Sequence, residues 1–365
     1  MSSVMRPVIQ PEMNAAAKAV DFNISPFVVI WENTRACDLA CVHCRAAAQP
    51  KRNRYELSTE EGFRLIDDIA ELHPKVFVLT GGDPLKREDT YDLIRYAREK
   101  GLEPSLTPSA TPLLTEEAVV KMKAYGLGRM AVSLDASNAA SHDSFRGVPG
   151  SFELTLRAIR TAAREGIPVQ VNTTITRRTR NELPQMVQML TELGITMWSV
   201  FFAVPTGRAK QSDLVTAAEV EELFGFLYET SKNVPFSIRT TEAMHYRRFV
   251  LQQGGAMPLG VHPNGAPRAP RGVNEAKGFV FISHIGDVYP SGFLPLKAGN
   301  VRQQSLGDIY RTSDLFVALR NADNLHGKCG RCEYRDLCGG SRARAWSMTG
   351  DVFASDPLCA YQPEG

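Results

Sequence analysis

From about residue 27 to 232 the chain alternates between short apolar, β-branched runs and longer amphipathic stretches. The runs 27–31, 76–79, 103–107, 129–134, 169–175 and 197–204 read as strands. Most of them are apolar on both faces, as strands of a helix-covered parallel sheet are. Helical periodicity occupies roughly 58–72, 88–100, 115–125, 152–165, 182–193 and 217–232. The first of these opens with Ser58 and Glu61, a capping-box pair. The fifth carries Leu183, Met186, Met189 and Leu190 at helical spacing. Six β/α units in sequence predict a parallel sheet flanked by helices. They are too few for a complete eight-unit barrel, so an open partial barrel and a doubly wound sheet both fit. In either, chemistry belongs at the carboxyl ends of the strands.

Residues 233–277 break the alternation and read as a linker or lid, with a short helix over 242–251 and then a Gly- and Pro-rich stretch. Beyond it, 278–283 and 287–290 read as a hairpin around Ile285 and Gly286, followed by a helix over 305–321. The expected domains are an N-terminal arm (1–25), the β/α unit (26–232), the linker or lid (233–277) and a small metal-braced domain (278–365).

Hydrophobic residues make up 43% and charged residues 22%, proportions that exclude a disordered, collagen-like or coiled-coil chain. Net charge is +2, from 42 basic and 40 acidic side chains, which gives no case for a nucleic-acid partner. No apolar run is long enough to span a membrane, and the first residues lack the features of a secretory signal. The expectation is a cytoplasmic protein with no membrane partner. Cysteine changes the picture. The seven cysteines fall in two groups, Cys37, Cys41 and Cys44, then Cys329, Cys332, Cys338 and Cys359. Three plus four looks like two metal sites, one of them short of a ligand, rather than a disulfide framework.

The first group has the spacing C-x3-C-x2-C, shortly after the first strand. Three thiolates at this pitch fold around one soft-metal centre. A four-iron cluster takes four ligands, so one iron would stay open for a small molecule; zinc completed by His43 is the alternative. This motif after the first strand of a partial β/α barrel resembles the radical S-adenosylmethionine (SAM) superfamily. The resemblance implies an α/β fold with a partial (β/α)6 TIM-like barrel. It also implies a [4Fe–4S] cluster on Cys37, Cys41 and Cys44, with SAM chelated to the open iron. Reductive cleavage of SAM then gives a 5′-deoxyadenosyl radical that abstracts hydrogen from substrate.

The second strand ends in Thr80-Gly81-Gly82-Asp83-Pro84, which resembles the family's G-G-E-P turn with Asp for Glu. The resemblance implies that Gly81, Gly82 and Asp83 contact the SAM amino group; glycines admit close approach and a carboxylate suits an ammonium. Further strand ends offer Ser109 and Thr111, Ser133 and Asp135, Asn172 and Thr174, and Val204-Pro205. Of these, Ser133 and Asn172 are the candidates for holding the rest of SAM. Turn and cap chemistry is the plain reading of each.

The second group, C-x2-C-x5-C-x20-C, supplies four soft ligands and no open position; four-thiolate zinc is the alternative. The text Cys338-Gly339-Gly340-Ser341-Arg342-Ala343-Arg344, with Asp356-Pro357-Leu358-Cys359 and Gly286-Asp287-Val288-Tyr289-Pro290, resembles the SPASM/twitch auxiliary-cluster domain of radical SAM enzymes. It implies one auxiliary [4Fe–4S] cluster on Cys329, Cys332, Cys338 and Cys359. Ser291 and Ser341 stand where some relatives carry cysteine.

Within that branch the wording is nearest to haem-pathway members, such as the Fe-coproporphyrin decarboxylase and d1-type haem maturases. They imply a tetrapyrrole substrate, and an electron donor such as flavodoxin or ferredoxin. Arg268, Arg271 and Lys277, with Arg247 and Arg248, are candidates for binding propionates; His245, His262 and His284 are candidate ligands to a porphyrin iron. Maturation of a ribosomal peptide or peptide-derived cofactor is the alternative substrate reading. A non-catalytic Fe–S electron carrier or a zinc-binding module is the alternative of another class.

Overall fold

The computed structural model describes residues 21–255 and 272–364. Its centre is a run of parallel strands: β1 (Val28–Thr34), β2 (Val76–Gly81), β3 (Pro104–Leu106), β4 (Arg129–Ser133), β5 (Val169–Ile175) and β6 (Met197–Phe202). Each pairs in parallel with the next. The intervening helices are α1 (Thr59–Glu71), α2 (Thr90–Glu99), α3 (Glu116–Ala124), α4 (Ala139–Arg146), α5 (Ser151–Arg164), α6 (Leu183–Glu192) and α7 (Ala217–Ser231). This is the α/β, helix-covered parallel sheet that the β/α alternation predicts. Ser58 caps α1 with the expected reciprocal bonds to Glu61.

Two strands extend this sheet beyond the six units read from sequence. β7 (Ser237–Thr241) pairs in parallel with β6, so the stretch read as linker contributes a strand before α8 (Tyr246–Gln252). Its sequence, Ser-Ile-Arg-Thr-Thr, carries one apolar residue, and all five positions are half-buried; the apolar-run criterion passes over it. β8 (Phe279–Ile282) forms the predicted hairpin with β9 (Asp287–Tyr289), but it also lies in parallel against β1. With β10 (Gly299–Asn300) the order is β10-β9-β8-β1-β2-β3-β4-β5-β6-β7.

The helix expected over 305–321 is two, α9 (Leu306–Thr312) and α10 (Asp314–Arg320), broken at Ser313. The break lets Phe316 meet Tyr310 edge-on at 5.5 Å, although residues six apart point to different sides of one straight helix. α11 (Gly327–Arg331) and α12 (Arg342–Thr349) complete the elements.

The core lies between sheet and helices. Trp31, Phe77, Val171, Trp198 and Phe202 meet Ile66, Ile69, Leu93, Ile159, Met186 and Phe224, all essentially inaccessible to solvent. Each such side chain contributes roughly 1.5–3 kcal/mol through burial. The inner face of the sheet is different. On β5, Val169, Val171, Thr173 and Ile175 are buried while Gln170, Asn172 and Thr174 are half-open. Ser133 and Ser199 stand beside Asn172 in register on β4 and β6. The barrel interior is therefore polar and accessible, suited to a ligand rather than to packing. Among the described residues no helix is long and apolar enough to cross a membrane.

Candidate active site

The chain leaves β1 into a loop carrying the first three cysteines. Two backbone bonds close its neck: Cys37 N–H donates to Gln49 O (2.8 Å) and Gln49 N–H to Arg35 O (3.1 Å). Ala40 and Val42 donate to the carbonyls of Arg146 and Phe145 at the end of α4. The turn after β2 grips the loop from below, with Gly82 N–H donating to Thr34 O (2.8 Å) and Asp83 N–H to Ala36 O (2.6 Å). A Cβ on Gly82 would lie 2.5 Å from Ala36 O and 2.7 Å from Arg35 O, so no other residue fits without moving the loop. From above, a Cβ on Gly207 would meet the carbonyls of Cys44 and Arg45 at 2.3 Å. The glycines predicted to admit a ligand first of all admit the cysteine loop.

Cys37, Cys41 and Cys44 line one cavity of about 210 Å³ at the carboxyl ends of the strands. Thr80, Gly81 and Gly82 from β2 and its turn share its wall, with Ser133 from β4, Thr174 from β5, and Phe201, Phe202 and Val204 at the end of β6. Two expected site residues are placed otherwise. The Asp83 carboxylate is fully buried and outside the wall. It accepts from Leu85 N–H (3.1 Å), Ser109 N–H (3.3 Å) and Thr111 Oγ1 (2.7 Å), and burial raises its pKa. It fastens the strand-two turn to the loop after β3. Asn172 stands next to Ser133 but is absent from the wall; its Oδ1 accepts from Gln170 Nε2 at 2.8 Å.

Sequence reasoning missed α4 and what it delivers. Arg146 is buried, pairs with the fully buried Asp135, and donates from Nη1 to Cys41 Sγ at 3.7 Å. Burial is the largest influence and would raise the Asp135 pKa, but the Arg146 charge, His43, His142 and the Thr174 N–H together outweigh it and the net shift is downward. His142 also lines the cavity; Asp135 N–H donates to its Nδ1 (3.2 Å), and burial lowers its pKa to about 4. His43 stacks on Phe145 at 4.1 Å, with burial lowering its pKa to about 3. Both imidazoles are neutral near pH 7. α4 has only Phe145 as a large apolar residue, so periodicity is silent. Its caps were readable: Asn138 accepts from Ser141 N–H, and Gly147 ends it in left-handed backbone.

The second cysteine group gathers in the C-terminal part. Cys329, Cys332, Cys338 and Cys359 line a common small cavity with His245, Arg248 and Tyr334. Burial pushes the Cys338 thiol up to about 12 and the Cys359 thiol up to about 11. Arg342 Nη2 lies 3.9 Å from Cys329 Sγ, and Gly340 N–H donates to Cys338 Sγ at 3.3 Å. The Cys359 turn is fixed by Asp356, which accepts from Arg344 Nε (3.0 Å), Ser341 N–H (2.8 Å) and Leu358 N–H (3.0 Å). None of the seven cysteines forms a disulfide. Among the described residues no three ligand-type side chains converge as one metal ion requires. Three and four soft thiol donors, each set around one cavity, fit an iron–sulfur cluster.

The basic and histidine candidates for substrate binding are otherwise engaged. Arg247 donates to Leu337 O and Val273 O, Arg248 pairs with Glu221, and Lys277 donates to Asp336 O. His284 bonds Glu32 at 3.0 Å, and His245 is buried beside the second cysteine cavity. Arg268, Arg271 and His262 lie outside the described residues.

Ser291 and Ser341 come together on one carboxyl group. Both hydroxyls donate to Glu242, the Ser291 bond at 3.3 Å, and Glu242 sits in left-handed backbone (φ 56°). Glu275 lies next to it and accepts from the N–H groups of Arg342 (2.9 Å) and Ala343 (3.1 Å). Burial, and then the neighbouring Glu275, raise the Glu242 pKa well above the usual carboxylate range, with Arg344 opposing. A carboxyl protonated when folded and ionised when unfolded contributes stability at low pH that is lost as pH rises through the folded value. Glu242→Gln removes that titration. The variant is therefore expected to gain on the parent in thermal melts run from pH 5 to 9. The gap widens by up to about 1.4 kcal/mol per pH unit between the ordinary carboxylate value of 4.5 and the raised folded value, and levels off above it. Parallel melting curves would show that the pair is not protonated.

The chain resembles known proteins along most of its length. The family model described as the radical SAM superfamily matches residues 31–190, and that of an iron–sulfur cluster-binding (SPASM) domain matches 275–333. An AdoMet-dependent heme synthase of Methanosarcina barkeri is 39% identical over 341 residues, 93% of this chain and 97% of that one. A heme synthase of Nitratidesulfovibrio vulgaris is 42% identical over 340 residues, 92% of each. Among solved structures, Streptococcus suis SuiB bound to S-adenosylmethionine superposes with a TM-score of 0.72 at 17% identity, covering 93% of this chain and 78% of that one.

Proposed function

Since the chain belongs to the radical SAM superfamily, in the branch with a C-terminal iron–sulfur domain, it is an enzyme of SAM and iron–sulfur clusters, and we propose which residues serve them and on what substrate. Cys37, Cys41 and Cys44 hold the [4Fe–4S] cluster that binds SAM. Cys329, Cys332, Cys338 and Cys359 hold one auxiliary [4Fe–4S] cluster. The substrate is a haem-type tetrapyrrole with propionate side chains. The observation that carries the site reading is that three thiols, the glycine turn and the ends of β4, β5 and β6 share one cavity. Near full-length likeness to heme synthases supports the tetrapyrrole.

When bound, the first cluster and SAM supply a radical that takes hydrogen from substrate, and the auxiliary cluster an acceptor for the electron left when a propionate loses that hydrogen and carbon dioxide. The chain's own residues hold and enclose. Arg146 donates to Cys41 Sγ and sets a positive charge beside the loop. Ser133 and the backbone of Gly81 and Gly82 face the SAM position. Phe201, Phe202, Val204 and Phe293 give the cavity an apolar side that excludes water from a reactive intermediate. An outside reductant, a carrier such as flavodoxin or ferredoxin, supplies the electron.

The test is anaerobic incubation of the reconstituted protein with SAM, a reductant and iron coproporphyrin III. Carbon dioxide release, with propionates converted to vinyl groups in step with deoxyadenosine, is expected. Deoxyadenosine with an unaltered porphyrin would sink the tetrapyrrole reading and turn attention to peptides.

A further inference from the structure

A cluster that cleaves SAM must be given one electron per cycle, and one face of the molecule is built to receive the giver. The outer side of the cysteine loop is solvent-facing: Asp38, Ala40 and Val42 are exposed while Cys37, Leu39 and Cys41 between them are buried. Immediately beside it, residues 49–55 are exposed without a break and carry Lys51, Arg52 and Arg54. Lys86 stitches the two together, donating to Asp38 (2.5 Å) and to Pro50 O (2.9 Å). Among the described residues Lys51 and Arg54 have no carboxylate partner; Arg54 lies over the Tyr55 ring at 4.6 Å. Arg52 pairs with Glu56, whose side chain is buried. The surface thus carries Lys51, Arg52, Arg54 and the partly buried Lys86 against Asp38 and Glu56, which pair with Lys86 and Arg52 and leave Lys51 and Arg54 as the excess positive charge. Two large apolar groups sit in it, Val42 at 38% and Tyr55 at 58% exposure. Basic charge around an exposed aromatic and an aliphatic group is the makeup of a protein-docking patch rather than of a merely solvated face.

We propose that Lys51, Arg52, Arg54 and Lys86, around Val42 and Tyr55, form the docking surface for an acidic one-electron carrier protein. The carrier is oxidised by one electron, which the centre held by the adjacent loop gains; no atom is transferred. Complementary charge speeds encounter and fixes orientation, and salt weakens it. The inference rests on the assignment of Cys37, Cys41 and Cys44 made above.

The test uses the cluster-loaded full chain, reduced flavodoxin as an acidic probe, and dithionite as a small donor that needs no docking. In Lys51→Glu/Arg54→Glu, the Kd for oxidised flavodoxin at low salt is expected to rise at least about tenfold. Flavodoxin-driven deoxyadenosine formation falls with it, while the dithionite-driven rate stays at the parent value. Parent and variant should converge at high salt. Unchanged flavodoxin affinity and flavodoxin-driven rate in the variant would overturn the proposal, as would no measurable binding of flavodoxin to the parent. Parent protein that binds flavodoxin but fails to cleave SAM even with dithionite would instead refute the cluster assignment, and with it the proposal that this surface delivers an electron there.

Discussion

Cys41→Ala is expected to abolish deoxyadenosine formation from SAM under dithionite, to below about one thousandth of the parent rate, more than roughly 4 kcal/mol of barrier. The size follows from position. Cys41 is the middle thiol of the loop, is buried, and is the one that Arg146 addresses. Its loss removes a ligand from a centre that, on this assignment, has only three, and leaves the Arg146 charge facing no thiolate. The fold itself is expected to stand, because the loop is fastened by backbone bonds to Gln49, Arg146 and Phe145 rather than through sulfur. The measurement is product by chromatography alongside iron content. Parent-level deoxyadenosine would refute the assignment of the first cluster.

Cys338→Ala is expected to cost about half of the iron and to lower the anaerobic melting temperature, while SAM cleavage without substrate continues. Cys338 is half-buried, with its thiol pKa raised by burial. A thiolate there needs a bound metal centre to compensate its charge. The four thiols come from α11, the segment behind it and the Cys359 turn and meet at one cavity, so a metal centre there braces the three together. Iron assay and melting curves of parent and variant decide the matter. Iron content equal to the parent's would show that the four C-terminal cysteines are not the second site.

Much of this was legible before any coordinates. The β/α alternation gives the order of the first six strands and their helices, because each element's hydrophobic period is local. The cysteine groups stand out because seven soft ligands occur only in two places. The Gly81-Gly82-Asp83-Pro84 turn is legible as a turn, but its contacts within the protein are not. Gly82 accommodates the cysteine loop, and Asp83 ties to Ser109 and Thr111. β7 escaped because a half-buried strand facing a polar interior has no apolar run to display. α4 escaped because its signal lay in its caps, not its period.

The sequence by itself determined the fold class, the order of the first six β/α units and the soft-ligand character of both cysteine groups, since each depends on residues a few positions apart. Only the tertiary structure decided that Arg146 reaches Cys41, that Glu242 takes the hydroxyls of both Ser291 and Ser341, that β8 returns to lie against β1, and that the basic run after the cysteine loop joins Lys86 on one surface. These pairings cross tens to hundreds of residues. No local period records them; they follow from how the packed sheet brings distant strand ends to one rim.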